Sequence, residues 1–192
     1  AIGVANKTAN ITNTRLGSIR SGTGVSSGNV MNGLNAWGQV FGTTAEQDTR
    51  DGINGYDADT YGVTVGIDTE GFHDDMVVGI ALTYADTEVD SANATATSTE
   101  VDSYQFTLYG DYDLDERTYL AGQIGYTWSD VDTTRNPGGV SSLTAKGDYD
   151  SSQINARVEL GRDYQMDGGL TLTPSALANY VHYDADSYTE TG

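Results

Sequence analysis

From residue 33 onward this chain is written in a period of two. Seven segments alternate apolar with polar side chains, and a pleated strand sends the two sets to opposite faces. Residues 60–68 show this most cleanly: Tyr61, Val63, Val65 and Ile67 share one face, and Thr60, Gly62, Thr64, Gly66 and Asp68 the other. Residues 76–85 set Met76, Val78, Ile80, Leu82 and Tyr84 against Val77, Gly79, Ala81, Thr83 and Ala85. Residues 103–112 set Tyr104, Phe106, Leu108 and Tyr112 against Ser103, Gln105, Thr107, Tyr109 and Asp111. Residues 119–128 set Leu120, Ile124, Tyr126 and Trp128 against Tyr119, Ala121, Gln123, Gly125 and Thr127. Residues 151–161 set Ile154, Ala156, Val158 and Leu160 against Ser151, Gln153, Asn155, Arg157 and Glu159. Residues 33–41 bring Trp37, Gln39 and Phe41 to one face, and residues 170–183 form a seventh strand whose faces stay unassigned.

The connections alternate as well. TEGFHDD, DLDE and QMDG are short turns, whereas TTAEQDTRDGING, EVDSANATATSTE and SDVDTTRNPGGVSSLTAKG are long and polar. Short turns at one end and long loops at the other describe an antiparallel up-and-down meander. Its apolar face can pack on a second sheet, as in a soluble sandwich, or meet lipid around a polar lumen. Two features favour lipid. The polar face carries Gly, Thr, Ser, Gln, Asn and charge, as a lumen does. Tyr61, Tyr84, Tyr104, Tyr112, Tyr126 and Trp128 lie near strand ends, as interfacial girdles do. The residues expected to face lipid are Tyr61, Val63, Val65, Ile67, Val78, Ile80, Leu82, Phe106, Leu108, Ile124 and Trp128. No run of about 18 apolar residues occurs, so no membrane-spanning helix is expected.

Residues 1–32 differ. Ile2, Ala5, Ala9, Thr12, Leu16 and Ile19 recur at spacings of three and four, a narrow helical stripe. The other faces carry Asn6, Lys7, Asn10, Asn13 and Arg15, and Gly22 and Gly24 would stop the helix. Its Thr, Asn and Gly content is poor for an isolated helix, so surroundings must hold it. A 2–20 helix would reach about 28 Å, close to the hydrocarbon thickness of about 30 Å. Charge splits at the same place. Lys7, Arg15 and Arg20, with no acid, give residues 1–32 a charge of +3; the other 6 basic and all 28 acidic residues give 33–192 a charge of −22. The chain-wide −19 leaves no basic face for phosphate, so nucleic acid is not an expected partner. The absence of cysteine excludes a disulfide scaffold and thiolate metal sites.

LNAWGQVFG followed by GYDADTYGVTVGID resembles the opening strands of the autotransporter β-domain of type V secretion. NTRLGSIRSG resembles that family's pre-barrel helix, and LTLTPSALANYVHYDADSYTETG one of its later strands. The resemblance implies an all-β, twelve-stranded outer-membrane barrel with a helix threaded through its pore. It also implies an N-terminal passenger carried to the cell surface, and assembly by the barrel-insertion machinery. Residues 1–32 then correspond to the pore helix and linker, with Lys7, Asn10, Asn13, Arg15 and Arg20 as its contacts. Residues 33–192 correspond to the first portion of the barrel, with Gln105, Asp111, Gln123, Arg157 and Glu159 lining the pore. Arg157 and Glu159 are two apart and share a face, and a lipid face would be costly for both. The family's closing strands and terminal aromatic residue are not in this sequence, so the expectation is a fragment with about seven strands.

No enzymatic chemistry is expected. His73 and His182 lack ligand-spaced partners. DYDLDE reads as an acidic hairpin turn, without the central Gly and distal Glu of a calcium loop. No nucleophile elbow, P-loop or dinucleotide fingerprint occurs, and no cofactor or metal is implied. Some family members cut themselves at an Asn in the pore helix, but the paired-Asn arrangement is missing here. Two other functions fit the same strands: a surface barrel acting as an adhesin or small porin, and a soluble acidic module binding glycans or calcium.

Overall fold

The computed structural model describes residues 2–22, 29–31, 33–50, 54–73, 75–91, 97–136 and 144–187. The expected helix stop at Gly24, the boundary at Asn32 and the run at 188–192 lie outside them. Among the described residues one helix, α1 (Ile2–Arg20), precedes ten strands. These are β1 (Asn29–Met31), β2 (Leu34–Gln47), β3 (Tyr56–His73), β4 (Met76–Ser91), β5 (Thr97–Asp115), β6 (Thr118–Arg135), β7 (Ala145–Arg162), β8 (Tyr164–Gln165), β9 (Thr171–Leu172) and β10 (Ser175–Ala185). An eight-stranded sheet runs β1-β2-β3-β4-β5-β6-β7-β10, antiparallel throughout, and β8 and β9 form a separate small pair.

The seven expected strands are present as β2–β7 and β10, and the short β1 joins them at the edge. Two expectations about the connections are corrected. The last one carries its own two-stranded ribbon, β8–β9. The long loops are much shorter than their polarity suggests. Thr43–Gln47 of the first, Glu88–Ser91 of the second and Ser129–Arg135 of the third are still strand. The ladder continues there with acids in place of hydrocarbon on the outward face, while Ser129 and Val131 stay buried on the inward one.

Directly opposed residues in an antiparallel pair point to the same side, so the register assigns every face. One outward row is Tyr84–Tyr104–Trp128. Its rings touch, with centroids 5.2 Å apart for Tyr84 and Tyr104 and 5.7 Å for Tyr104 and Trp128. Eight residues along β5, Tyr112 marks the other end of the apolar face. That distance is about 26 Å along the strand, or about 20 Å along the membrane normal after barrel tilt, close to the usual apolar band of about 25 Å. Between these rows the outward side chains include those of Phe106, Leu108, Ile80, Leu82, Ile124 and Tyr126, all exposed.

Beyond the aromatic row the same outward face turns acidic. Asp86, Asp102, Asp130 and Asp150 stand opposite one another in one row, and Asp59, Glu88, Glu100, Asp132 and Asp148 in the next. Like charges directly opposed across a ladder are destabilising and are screened within about 10 Å at 0.1 M salt. We therefore expect the amides of these strand ends to exchange with solvent faster at 10 mM than at 500 mM salt, with the Tyr104–Tyr112 stretch unchanged. Equal protection at both salts would contradict this electrostatic account.

The inward face accommodates aromatic rings over glycines. Trp37 covers Gly66, Phe41 covers Gly62, Tyr109 covers Gly79 and Tyr119 covers Gly161, and a Cβ at any of these glycines would overlap the ring. Gly79→Ala should push Tyr109 aside and destabilise the sheet by about 1–3 kcal/mol. The midpoint of urea unfolding in detergent reports it, and an unchanged midpoint would mean the ring moves freely.

Candidate functional site

The helix lies inside the curve of the sheet. It reaches β2 through Lys7, whose Nζ is 6.0 Å from the Phe41 ring centre, and β3 through Arg15; it also packs on β4, β5, β6 and β7. One 19-residue helix touches six successive strands only if the sheet wraps round it. Its buried side is Val4, Ala5, Thr8, Ala9, Ile11, Thr12, Arg15 and Leu16. The stripe is therefore broader than the apolar periodicity indicates, and it includes Arg15, which the sequence places on another face. The helix ends at Gly22, whose φ of 65° and N–H bond to the Ile19 carbonyl close the last turn.

Arg15 makes the central contact. Its Nε donates to Asp68 Oδ2 at 2.8 Å and its Nη2 to Asp68 Oδ1 at 2.9 Å, with Arg15 8% and Asp68 1% exposed. A two-pronged guanidinium–carboxylate pair fixes orientation as well as charge. Asp68 is held in turn by Tyr109, whose hydroxyl donates to it at 3.0 Å and accepts from Trp37 Nε1 at 2.7 Å. The chain Trp37–Tyr109–Asp68–Arg15 thus ties the helix to β2, β3 and β5.

Around it lies a second set of contacts. Arg20 donates to Asp111 and stacks its guanidinium 3.6 Å from the Tyr119 ring centre. Tyr119 donates to Glu159 Oε1 at 2.9 Å, and Asn13 donates to Glu159 Oε2 at 3.1 Å. Arg157 donates to Asn10 Oδ1 at 2.9 Å and approaches Glu159 at 3.9 Å. Thr12 donates to Gln123, whose Nε2 donates back to the Ala9 carbonyl at 2.9 Å. Thr8 donates to Thr83 Oγ1 at 3.3 Å.

Of the wall residues singled out from sequence, Asp111, Gln123, Arg157 and Glu159 therefore bond the helix. Gln105 is buried on the inward face but donates to Thr107. Asp68, Tyr109, Tyr119, Trp37 and Thr83 were not singled out. Asp68 carried a signal: it is the one acid on the polar face of residues 60–68, and a buried acid needs a cation. Of the outward set, Tyr61, Val63, Val65, Ile67, Ile80, Leu82, Phe106, Leu108, Ile124 and Trp128 are exposed and Val78 half-buried.

A family model described as "Autotransporter beta-domain" matches residues 36–192. This chain belongs to the autotransporter β-domain family. Outer membrane protein B of Rickettsia prowazekii (strain Madrid E) is 30% identical over 207 residues, which are 97% of this chain and 12% of that protein. The extracellular serine protease of Serratia marcescens is 31% identical over 162 residues, 82% of this chain and 15% of that protein. The chain thus spans only a small part of the curated relatives it matches. Its fold is similar to the translocator domain of the autotransporter NalP from Neisseria meningitidis: the TM-score is 0.72 at 17% identity, covering 99% of this chain and 63% of that one. The all-β, up-and-down barrel architecture is that of an autotransporter β-domain, and its location is the bacterial outer membrane.

Proposed function

We propose that this β-domain anchors an N-terminal passenger and exports it to the cell surface, with α1 seated in the pore as its plug. The observation that carries this reading is the direction of the latched helix. Arg20 bonds Asp111, near the short turn at the end of β5, whereas Thr8 bonds Thr83, farther toward the long loops. A chain joined upstream of α1 would leave by the long-loop mouth. In this reading residues 1–32 are the plug and linker, residues 33–192 belong to the barrel wall, and the exposed apolar side chains between Tyr104 and Tyr112 touch acyl chains. The barrel-insertion machinery would assemble it. The chain itself would need no cofactor and catalyse nothing; the protease activity named for the Serratia relative is that protein's own.

The lumen filled by α1 argues against the small-porin reading, and the exposed apolar band argues against a soluble module. An epitope placed upstream of residue 1 in the full-length protein should be removed by protease added to intact cells. An epitope cleaved only after the outer membrane is broken would overturn the proposal.

A further inference from the structure

The lumen wall does not treat the two halves of α1 alike. Toward the short turns, Arg20, Arg15, Asn13 and Thr12 find bonded partners. Toward the long-loop mouth, β5, β6 and β7 present Gln105, Thr127, Gln153 and Asn155, each at most 2% exposed. Gln105 Oε1, Thr127 Oγ1 and both side-chain polar atoms of Gln153 and of Asn155 have no hydrogen-bond partner. The only element inside the sheet among the described residues is α1; its buried Val4, Ala5 and Ile11 side chains offer such groups nothing, and Thr8, the buried hydroxyl at this level, bonds Thr83 on the far side of Gln105. Native interiors leave few polar groups in this state.

The four residues are arranged as a strip. Thr127 stands directly opposite Gln153, and Gly125 opposite Asn155. A Cβ on Gly125 would collide with Asn155 Oδ1 and Gln105 Nε2, so the glycine is a floor over which two carboxamides lean from either side. Each carboxamide offers a donor and an acceptor without net charge, the same pair a peptide group offers. Gln153 and Asn155 are two residues apart on one strand, about 6.6 Å, which is also the two-residue repeat of an extended chain. Nothing in the strip selects a side chain.

We propose that Gln105, Gln153 and Asn155, with Thr127, form a binding strip for the backbone amides of an extended polypeptide, occupied before α1 seats over it. The inference rests on the export reading and adds to it the contact surface and its sequence-independent chemistry. The test uses the full-length protein in pulse-labelled cells. A photo-crosslinking residue at Gln153 should capture segments upstream of residue 1 at early times and α1 later, whereas one at the outward Ile154 should capture neither. Combining Gln105→Leu, Gln153→Leu and Asn155→Leu should slow passenger display by about fivefold or more, with α1 still protected from protease. Gln153→Asn, which keeps the carboxamide, should display faster than Gln153→Leu.

Crosslinks from position 153 confined to α1 at all times would overturn the strip, as would normal display kinetics in the leucine variant. The single-site crosslink stands as a test even if the triple variant fails to assemble. Failure of the unaltered protein to display any passenger would instead remove the export reading.

Discussion

Asp68→Ala is expected to unseat the pore helix. The substitution leaves the Arg15 guanidinium buried without its two-pronged partner and Tyr109 without its acceptor. Removing one member of a buried pair costs about 3–5 kcal/mol, because the other charge stays desolvated. The helix has poor intrinsic propensity and depends on its lumen contacts, so the loss falls on its seating. Protease should then cut within residues 2–20, and ion conductance of the full-length protein in planar bilayers should rise. Arg15→Ala added to Asp68→Ala should recover part of the loss, since no orphan charge remains; a double-mutant cycle isolates that coupling. Unchanged protection and conductance in Asp68→Ala would show that the helix is held elsewhere, through Arg20 and Asn13.

Leu108→Arg should block membrane assembly. Leu108 lies midway between Tyr104 and Tyr112 on the outward face, directly opposite Ile80 and Ile124. An arginine near the bilayer midplane of a barrel costs about 2–4 kcal/mol. The folded fraction in phospholipid vesicles, read by heat-modifiable gel mobility, should fall accordingly. Asp132→Arg is the contrasting variant. Asp132 is also outward but stands above the aromatic row between Glu100 and Asp148, where a cation relieves like-charge repulsion. It should assemble normally. If both variants behave alike, the level assigned to the aromatic row is wrong.

The two variants also mark what the residues reveal without coordinates. Leu108 is legible because Tyr104, Phe106, Leu108 and Tyr112 alternate with polar neighbours, and lipid contact makes that alternation strict. Asp132 is not legible as strand. Above the aromatic row the outward side chains turn from apolar to acidic, the apolar outer face that marks a strand is lost, and a continued ladder looks like a loop. The same blindness hid the β8–β9 ribbon, whose side chains are all exposed. The blurred run 170–183 joins the ribbon strand β9 to most of β10, and β10 pairs with β7 along one side only among the described residues.

The pore contacts divide in the same way. Arg15, Arg20, Asn13, Gln123 and Glu159 follow from the family resemblance, which puts the first three on a pore helix and the last two, on the polar faces of their strands, along its wall. Which acid meets which cation does not follow. Arg15 meets Asp68 because the axial position of α1 brings residue 15 level with the row Asp68–Gly79–Tyr109–Gln123, and no local pattern encodes that position.

The plug came from the family resemblance, with which the charge contrast between residues 1–32 and the rest agrees. Alternation along single strands was enough for strand and face, and it favoured lipid. Those properties are local: each follows from one side chain's preference for water or hydrocarbon. Register, pairing partners and the depth of the helix arise only when the sheet has curved. They are sums over many weak contacts between residues that lie far apart in the chain, and a linear pattern contains no trace of such sums.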